Sequence, residues 1–279
     1  LPDRNRAVRI DLHLHSSASD GDLEPAALVR AAAARGLHLI ALTDHDTVAG
    51  LADATAAAAA VGIALVPGIE ISAAHVGQEL HLLGYDVRPD EPALLEFTRT
   101  AAARRTARLH EMIGRLAALG APVTLDDVLA TAGPRTGTLG RPHLARALLR
   151  RGHVASYEEA FARFLADGAP AFLPTAHVDP GAAIDVIHAA GGLAVWAHPP
   201  ADTFERDLPA LAEQGLDGVE CLRPRTRPRD AARLARTARA HGLLVTGGSD
   251  WHGPADGPLG TFHVRADEVR EFLEQRAAR

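Results

Sequence analysis

The feature that most constrains the fold is an alternation of short apolar segments with helical segments, in which a polar cluster follows each apolar segment. Apolar segments at residues 37–42 and 63–66 each come after a helical pattern, at residues 24–35 and 48–61, and the alternation returns after residue 180. Strand and helix in alternation indicate parallel βαβ units. The sequence therefore predicts an α/β barrel or sheet with its functional residues at the carboxyl ends of the strands.

The first strand carries the densest polar cluster. Apolar and polar side chains alternate over residues 8–15, which is the period of a strand buried on one face. His13 and His15 therefore point the same way, with Cα atoms about 6.5–7 Å apart, so that both imidazoles can reach one metal ion. The serine-rich loop at residues 16–19 lets Asp20 fold back towards them. A strand with two solvent-facing histidines is the alternative interpretation.

Later strands add further histidines and carboxylates at comparable places. A strand predicted at residues 79–85 contains one of them, and the others follow predicted strands. These residues are His45, Glu70, His81, His198, Asp250 and His252. Because the strand ends of an α/β barrel meet at one end, these side chains are candidates for a single site.

Residues 96–172 have a different pattern, with long helical stretches and no strand between them. Thr124 with Asp127, and Ser156 with Glu159, have the spacing of helix N-caps. The segment has 11 arginines and 7 acidic residues, so it carries +4 while the rest of the chain carries −10. A helical insertion is predicted here. Its arginines are either a solvated helix face or a binding surface.

Composition narrows the class of protein. The 279 residues are 47% hydrophobic and 23% charged with a net charge of −6, which argues against wholesale wrapping of nucleic acid. Cys221, the single cysteine, excludes an internal disulfide and is expected to be a buried small hydrophobe. The first residues form no apolar signal region, and no apolar stretch reads as a membrane span, so a cytoplasmic protein is expected.

Taken together, these motifs resemble the PHP family, named for polymerase and histidinol phosphatase. They occur in the order HxH at residues 13–15, TDHD at 43–46, GIE at 68–70, His81, AHP at 197–199 and GSDWH at 248–252. The stretch GRPH at residues 140–143 and the helical insertion resemble the branch of 3′,5′-nucleotide bisphosphate phosphatases and 5′-to-3′ exoribonucleases. The resemblance implies a distorted seven-stranded, TIM-like β/α barrel at residues 1–95 and 173–279, interrupted by a helical insertion domain at residues 96–172.

The resemblance also implies three divalent metal ions. By resemblance, the ligands are His13, His15, Glu70 and Asp250 for the first ion; Glu70, His81 and His198 for the second; and Asp20, His45 and His252 for the third. Catalytic roles fall on Glu70, Asp250 and His252. Nitrogen and oxygen ligands without thiolates suit manganese, iron or zinc better than calcium, and Asp20 favours manganese as the expected metal.

Substrate contacts are expected from arginines and one histidine. Arg141 and His143 match the GRPH stretch, which in this branch contacts phosphate, and a planar guanidinium suits a phosphate fork. The alternative for both is an ordinary helix start. Arg225, after the strand ending at Cys221, is a candidate for a second phosphate. Asp44 and Asp46 either orient the ring of His45 or are solvated.

The predicted function is metal-dependent hydrolysis of nucleotide phosphoesters by a metal-activated hydroxide. The substrate is a nucleotide or short RNA, through release of the 3′-phosphate of a 3′,5′-bisphosphate or 5′-to-3′ trimming of 5′-phosphorylated RNA. No membrane and no obligate protein partner is expected. A histidinol-phosphate-type phosphatase of small monoesters, or a phosphate-binding module without catalysis, are the alternatives.

Overall fold

A computed structural model describes residues 8–75, 78–133, 136–175 and 178–279. The strands are β1 (Arg9–Leu14), β2 (Leu39–Leu42), β3 (Ala64–His75), β4 (Gln78–Tyr85), β5 (Leu193–Ala197), β6 (Gly218–Leu222), β7 (Leu244–Gly247) and β8 (Val264–Arg265). The helices are α1 (Pro25–Ala34), α2 (Leu51–Val61), α3 (Pro92–Ala118), α4 (Leu125–Leu129), α5 (Arg141–Arg150), α6 (Tyr157–Ala160), α7 (Pro180–Ala189), α8 (Phe204–Glu213), α9 (Pro228–Ala240) and α10 (Arg270–Ala277). A π-helical turn (Phe161–Leu165) extends α6, and a 3₁₀ turn (Pro254–Asp256) precedes β8.

The strands form one nearly closed, barrel-like sheet. Its order is β7-β6-β5-β4-β3-β2-β1-β8, so that seven strands follow one another in chain order and β8 adds two residues antiparallel to β1. The segment after β7 returns to β1, where the Asp250 N–H donates to the His13 carbonyl (2.9 Å) and the His15 N–H to the Trp251 carbonyl (3.0 Å). The predicted distorted α/β barrel is confirmed, with β8 as an extra short strand.

Close backbone approach at Gly248 makes this closure feasible. A Cβ atom at this position would lie 2.3 Å from the Cβ of His13 and 2.5 Å from its backbone nitrogen. Any side chain here would therefore push the segment after β7 away from β1. The glycine of the GSDWH motif is required by packing, independently of any chemistry in that motif.

One strand runs against the parallel pattern predicted for the whole sheet. β4 pairs antiparallel with both β3 and β5. Only two residues separate β3 from β4, too few for the crossover that a parallel pair requires. β3 is also longer than predicted, so Glu70 lies within the strand and not after it.

Both faces of the sheet are buried, in two hydrophobic cores. Alternate strand residues such as Ile40, Leu82 and Trp196 pack on α1, α2 and α7 to α9. The residues between them, including Leu83 and Tyr85, pack with Phe272 of α10. Burial on both faces explains why the strand segments read as nearly continuous apolar runs.

The helical region has a third core of its own. It is formed by the second half of α3 with α4, α5, α6 and the π-helical turn, around buried residues such as Met112, Leu144 and Phe164. The predicted caps are present, since the Thr124 and Ser156 hydroxyls accept the Asp127 and Glu159 N–H groups. The division into a barrel and an insertion domain stays a prediction. α3 crosses its first boundary, because Leu94 packs in a barrel core.

Two further observations concern the composition. None of the helices in the described ranges combines the length and the hydropathy that crossing a membrane would require.

Cys221 is fully buried, and burial raises the pKa of its thiol to about 12. The expected role of Cys221 as a small buried hydrophobe agrees with this environment.

Substitution of Phe272 tests whether packing of α10 against the sheet stabilises the barrel. Its ring is fully buried and meets Tyr85 edge-on at 5.1 Å between centroids. We expect Phe272→Ala to lower the free energy of unfolding by about 3–5 kcal/mol, because the cavity left in a closed barrel collapses poorly. Chemical denaturation measures this change. The exposed Gln275→Ala on the same helix is the control and should stay within about 0.5 kcal/mol of the parent; similar values for both variants would contradict the role of Phe272.

Candidate active site

All nine predicted metal ligands lie together at one end of the barrel. Most follow the carboxyl ends of strands, as the sequence predicts. His81 lies near the beginning of β4 instead. Because β4 runs antiparallel to its neighbours, its beginning faces the end where the parallel strands finish, and His81 pairs with Ser72 and Ala197 there.

These side chains form three overlapping groups. Within each group, one ligand atom per residue lies within 4.8 Å of the others. The groups are His13, His15, Glu70 and Asp250; His15, Asp20, His45 and His252; and His45, Glu70 and His81. His198 adjoins the last, with its Nε2 3.1 Å from His81 Nδ1. The grouping resembles the predicted one, except that His15 and His45 each belong to two groups.

Glu70 lies at the centre and is fully buried. Its Oε2 is 3.2 Å from His13 Nε2, 3.1 Å from His15 Nε2 and 3.2 Å from His45 Nδ1. Its Oε1 is 2.9 Å from His81 Nδ1 and 3.0 Å from His198 Nε2. One carboxylate thus faces five imidazoles, with each oxygen directed to a different set.

The donor set fits divalent transition metals. His13 Nε2 and His15 Nε2 lie 3.1 Å apart, so at most one of the two nitrogens can carry a proton in the space between them. Three buried atoms, His15 Nδ1, Asp20 Oδ1 and His45 Nδ1, make no hydrogen bond within the described residues. Buried polar atoms ordinarily have a partner, and nitrogen and oxygen donors converging in this way are what such ions bind. These clusters can bind metal ions.

The electrostatics of the clusters are those of ionised carboxylates among imidazoles. Burial alone would raise the pKa of Glu70, but His45, His13 and His81 hold it well below its ordinary value. Burial alone would lower the pKa of His81, but the carboxylates of Glu70 and Glu79 raise it to about 10. The protein therefore concentrates negative charge on Glu70, which protons or metal ions must balance.

Backbone strain is concentrated at the same place. Asp46, His198 and Asp250 have positive φ angles of 52°, 32° and 55°, in the left-handed region that non-glycine residues rarely adopt. All three follow strand ends at the site. Strained residues persist where the surrounding structure holds them, and they cluster at functional sites.

Glu220 is a functional candidate that the sequence did not single out. It is fully buried in β6, with Oε1 3.0 Å from His13 Nδ1, and its Oε2 accepts the His198 N–H at 2.9 Å. A carboxylate behind a metal-ligating imidazole fixes the orientation and tautomer of the ring. The sequence feature that could have identified Glu220 is the segment GVECL, where an acidic residue interrupts an apolar strand.

Asp44 and Asp46 do not contact the imidazole of His45 as one interpretation proposed. Asp44 accepts hydrogen bonds from the Ser16 N–H and hydroxyl and from the Ser19 hydroxyl, and so holds the loop that carries Asp20. Asp46 accepts the Ser72 N–H and pairs with Arg105 at 2.6 Å. Both residues are buried and support the site through the backbone.

Arginines of the helical region line a cavity beside the clusters. The cavity measures about 150 Å³. Its lining includes His45, His81 and Asp20 of the clusters, the carboxylate of Glu79, and the three guanidiniums of Arg105, Arg108 and Arg141. The Arg108 and Arg141 guanidiniums lie 5.8 and 5.3 Å from the Phe172 ring centroid. Burial, Arg141 and Arg105 lower the pKa of Arg108 to about 10. Crowded cations favour an anion here.

The three predicted substrate contacts differ in their surroundings. Arg141 lines the cavity and pairs with Asp167 at 2.6 Å. His143 is 2% exposed, and its Nδ1 accepts the Gly140 N–H at 3.1 Å, so this nitrogen holds the start of α5. Arg225 is exposed, with a positive φ of 64°, and is not among the residues of this cavity. Arg105 and Arg108 were not singled out, because their spacing is that of an ordinary solvated helix face.

Comparisons with known proteins agree with this site. The PHP domain matches residues 11–166. The chain is 36% identical over 261 residues to the 5′-3′ exoribonuclease Rnm of Escherichia coli, covering 91% of this chain and 88% of that protein. It is 34% identical over 262 residues to a 3′,5′-nucleoside bisphosphate phosphatase of Chromobacterium violaceum, covering 92% of each.

A solved structure is similar over nearly the whole chain. It is a protein described as a metal-dependent phosphoesterase from Bifidobacterium adolescentis, with a TM-score of 0.86 and 36% identity, and the match covers 95% of this chain and 96% of that one. Sequence, fold and the metal-binding clusters lead to the same conclusion: the chain belongs to the PHP domain family and is a metal-dependent phosphoesterase.

Proposed function

We propose that the chain hydrolyses phosphoesters of nucleotides that carry a second, terminal phosphate. The reaction is release of the 3′-phosphate from a nucleoside 3′,5′-bisphosphate, 5′-to-3′ trimming of short 5′-phosphorylated RNA, or both. The observation that carries the proposal is the arginine-lined cavity of about 150 Å³, which adjoins metal-binding clusters at His45, His81 and Asp20. The named activities of the Escherichia coli and Chromobacterium violaceum relatives support the same substrate class.

Three divalent ions would be held by the nine predicted residues, with manganese as the expected metal. The mixed nitrogen and oxygen donors, and the carboxylate of Asp20 in place of another imidazole, support this choice. When bound, such ions supply Lewis-acid chemistry, which neutralises the phosphoryl oxygens and generates a nucleophile from water.

The other steps fall to side chains of this chain. Glu70 would keep the clusters together, because its two oxygens face different imidazoles. Asp250 and His252 are the proposed catalytic partners on the open side, since their side chains are 39% and 30% exposed while those of His13 and His15 are fully buried. Exposed groups at the rim can contact the substrate and exchange protons with it.

The terminal phosphate would be held by Arg141 with Arg105 and Arg108. A guanidinium binds phosphate through two parallel hydrogen bonds, and all three of these arginines line the cavity. His143 would position Arg141 by holding the first turn of α5. Arg225 stays a candidate for a phosphate that reaches beyond this cavity.

The two alternatives are less well supported. Histidinol phosphate and other small monoesters carry a single phosphate, which would leave the arginine-lined cavity without a phosphate to bind. A phosphate-binding module without catalysis would not need nine converging ligands that share the carboxylate of Glu70.

Removal of metal tests whether hydrolysis requires bound metal ions. We expect a chelator to abolish hydrolysis of a 3′,5′-bisphosphate. Mn²⁺ should restore it better than Mg²⁺, because imidazole donors suit transition metals, and better than Zn²⁺, because the carboxylate of Asp20 is a harder donor than an imidazole. Elemental analysis of the purified protein should give two to three transition-metal ions per chain. Full activity in metal-free protein would contradict the proposal.

Glu70→Gln tests the bridge. The amide keeps the shape of the side chain but removes the charge that both sets of imidazoles face. We expect kcat to fall by roughly a hundredfold or more and the metal content to drop by at least one ion per chain. Circular dichroism checks that the fold is intact. An intact variant with the turnover and metal content of the parent would remove Glu70 from the site.

Arg141→Ala tests recognition of the second phosphate. We expect kcat/KM to fall for a 3′,5′-bisphosphate and a 5′-phosphorylated dinucleotide, because a charged hydrogen-bonded contact is lost. The fall should correspond to about 2–4 kcal/mol of transition-state stabilisation. A 5′-mononucleotide should be barely affected. The control is Arg151→Ala, at the opposite end of α5, where the side chain is 58% exposed. Equal losses on all three substrates would assign Arg141 to the fold or the metals.

A further inference from the structure

A second and larger cavity adjoins the metal-binding clusters. It measures about 460 Å³, and its lining includes Asp20 and His252 of one cluster together with Pro142, Arg146 and Tyr157 of the helical region. Asp20 and Pro142 also line the arginine cavity. The two cavities therefore flank the cluster of Asp20, His45 and His252 and share a wall.

We propose that, when the substrate is a phosphodiester, this larger cavity binds the nucleoside that lies beyond the scissile phosphate, with Tyr157 as the stacking surface for its base. The inference rests on the proposed function and deepens it. The terminal 5′-phosphate occupies the arginine cavity, the scissile phosphate lies at the clusters, and the downstream nucleoside fills the larger cavity.

The size of the cavity supports this assignment. A 3′,5′-bisphosphate places only a phosphoryl group on the far side of the clusters, and the arginine cavity of about 150 Å³ is already sufficient for a phosphate. A cavity of about 460 Å³ is within the size range of cavities that bind small organic ligands. A diester has a nucleoside to place there.

The charge of the lining favours a nucleoside over another phosphate. Apart from the cluster residues, the lining contains the carboxylates of Asp22, Glu158 and Asp256 and one guanidinium, Arg146, which pairs with Asp22 at 2.7 Å. A net negative wall repels phosphate and accepts hydrogen bonds from ribose hydroxyls or base amino groups. The arginine cavity has the opposite charge, which fixes the direction of the substrate.

An aromatic pair connects the two cavities. Tyr157 lines the larger cavity and is 36% exposed, while Phe161 lines the arginine cavity, and the ring centroids are 5.1 Å apart. Tyr157 begins α6, and the π-helical turn starts at Phe161, so both rings come from one short segment. An exposed aromatic ring beside a cavity is a stacking surface for a base of any sequence.

The reaction balances without any further reactant. Water adds its oxygen to the scissile phosphorus, the bond from phosphorus to O3′ of the first nucleoside breaks, and that O3′ takes up a proton. The phosphate stays on the 5′-oxygen of the downstream nucleoside. The product in the larger cavity is therefore a 5′-phosphorylated end, which can move to the arginine cavity as the next substrate.

The test compares two substrates in the Mn²⁺-loaded parent chain and in Tyr157→Ala and Tyr157→Phe. The substrates are a 5′-phosphorylated dinucleotide and a 3′,5′-bisphosphate. We expect the ratio of their kcat/KM values, dinucleotide over bisphosphate, to fall about tenfold or more in Tyr157→Ala, since a base loses its stacking partner. Tyr157→Phe keeps the ring and should keep the ratio within about twofold.

A spectroscopic measurement complements the kinetics. A 5′-phosphorylated dinucleotide with 2-aminopurine as its second base and an uncleavable linkage should lose fluorescence on binding to the parent and to Tyr157→Phe, because the base stacks. This quenching should be absent in Tyr157→Ala. An unchanged ratio, or equal quenching in all three proteins, would overturn the inference. A parent that hydrolyses neither substrate would overturn the proposed function and the inference with it.

Discussion

The site depends on one buried carboxylate, Glu70, facing five imidazoles. An ionised carboxylate that is fully removed from water is costly unless positive charge lies close to it. Here the two oxygens lie 2.9–3.2 Å from imidazole nitrogens. The arrangement is stable only with cations shared among the clusters, as protons or as metal ions. A metal-dependent hydrolase needs this shared negative charge at its centre.

Closure of the barrel brings the other ligands to that carboxylate. The segment after β7 bonds to β1, and Gly248 allows the two backbones to meet beside His13. This contact places Asp250 and His252 beside His15, although more than 230 residues separate them in the chain. Buried carboxylates such as Glu220 and Asp44 then fix His13 and the Asp20 loop through hydrogen bonds. Fold stability and ligand geometry thus rest on the same contacts.

The helical region contributes arginines to the cavity in which we propose that the terminal phosphate binds. α3 brings Arg105 and Arg108, and the start of α5 brings Arg141, to the cavity beside His81. The barrel end supplies carboxylates and imidazoles, whereas a phosphate that extends beyond them is bound best by guanidinium groups. Residues 96–172 contain an excess of arginine over acidic residues, and only a few of these arginines line the cavity.

The sequence by itself determined the positions of most strands and the α/β class, because strand periodicity is a local property. Its motifs indicated the residues that could bind metal through their resemblance to the PHP family. Only the tertiary structure decided three things: that β4 runs antiparallel and so aims His81 at the site, that Glu220 lies behind His13, and that Arg105 and Arg108 face the cavity. Each depends on contacts between residues far apart in the chain. A histidine in a strand, an acid in a strand and an arginine on a helix look the same locally whether they face a site or not, and only packing sets their direction.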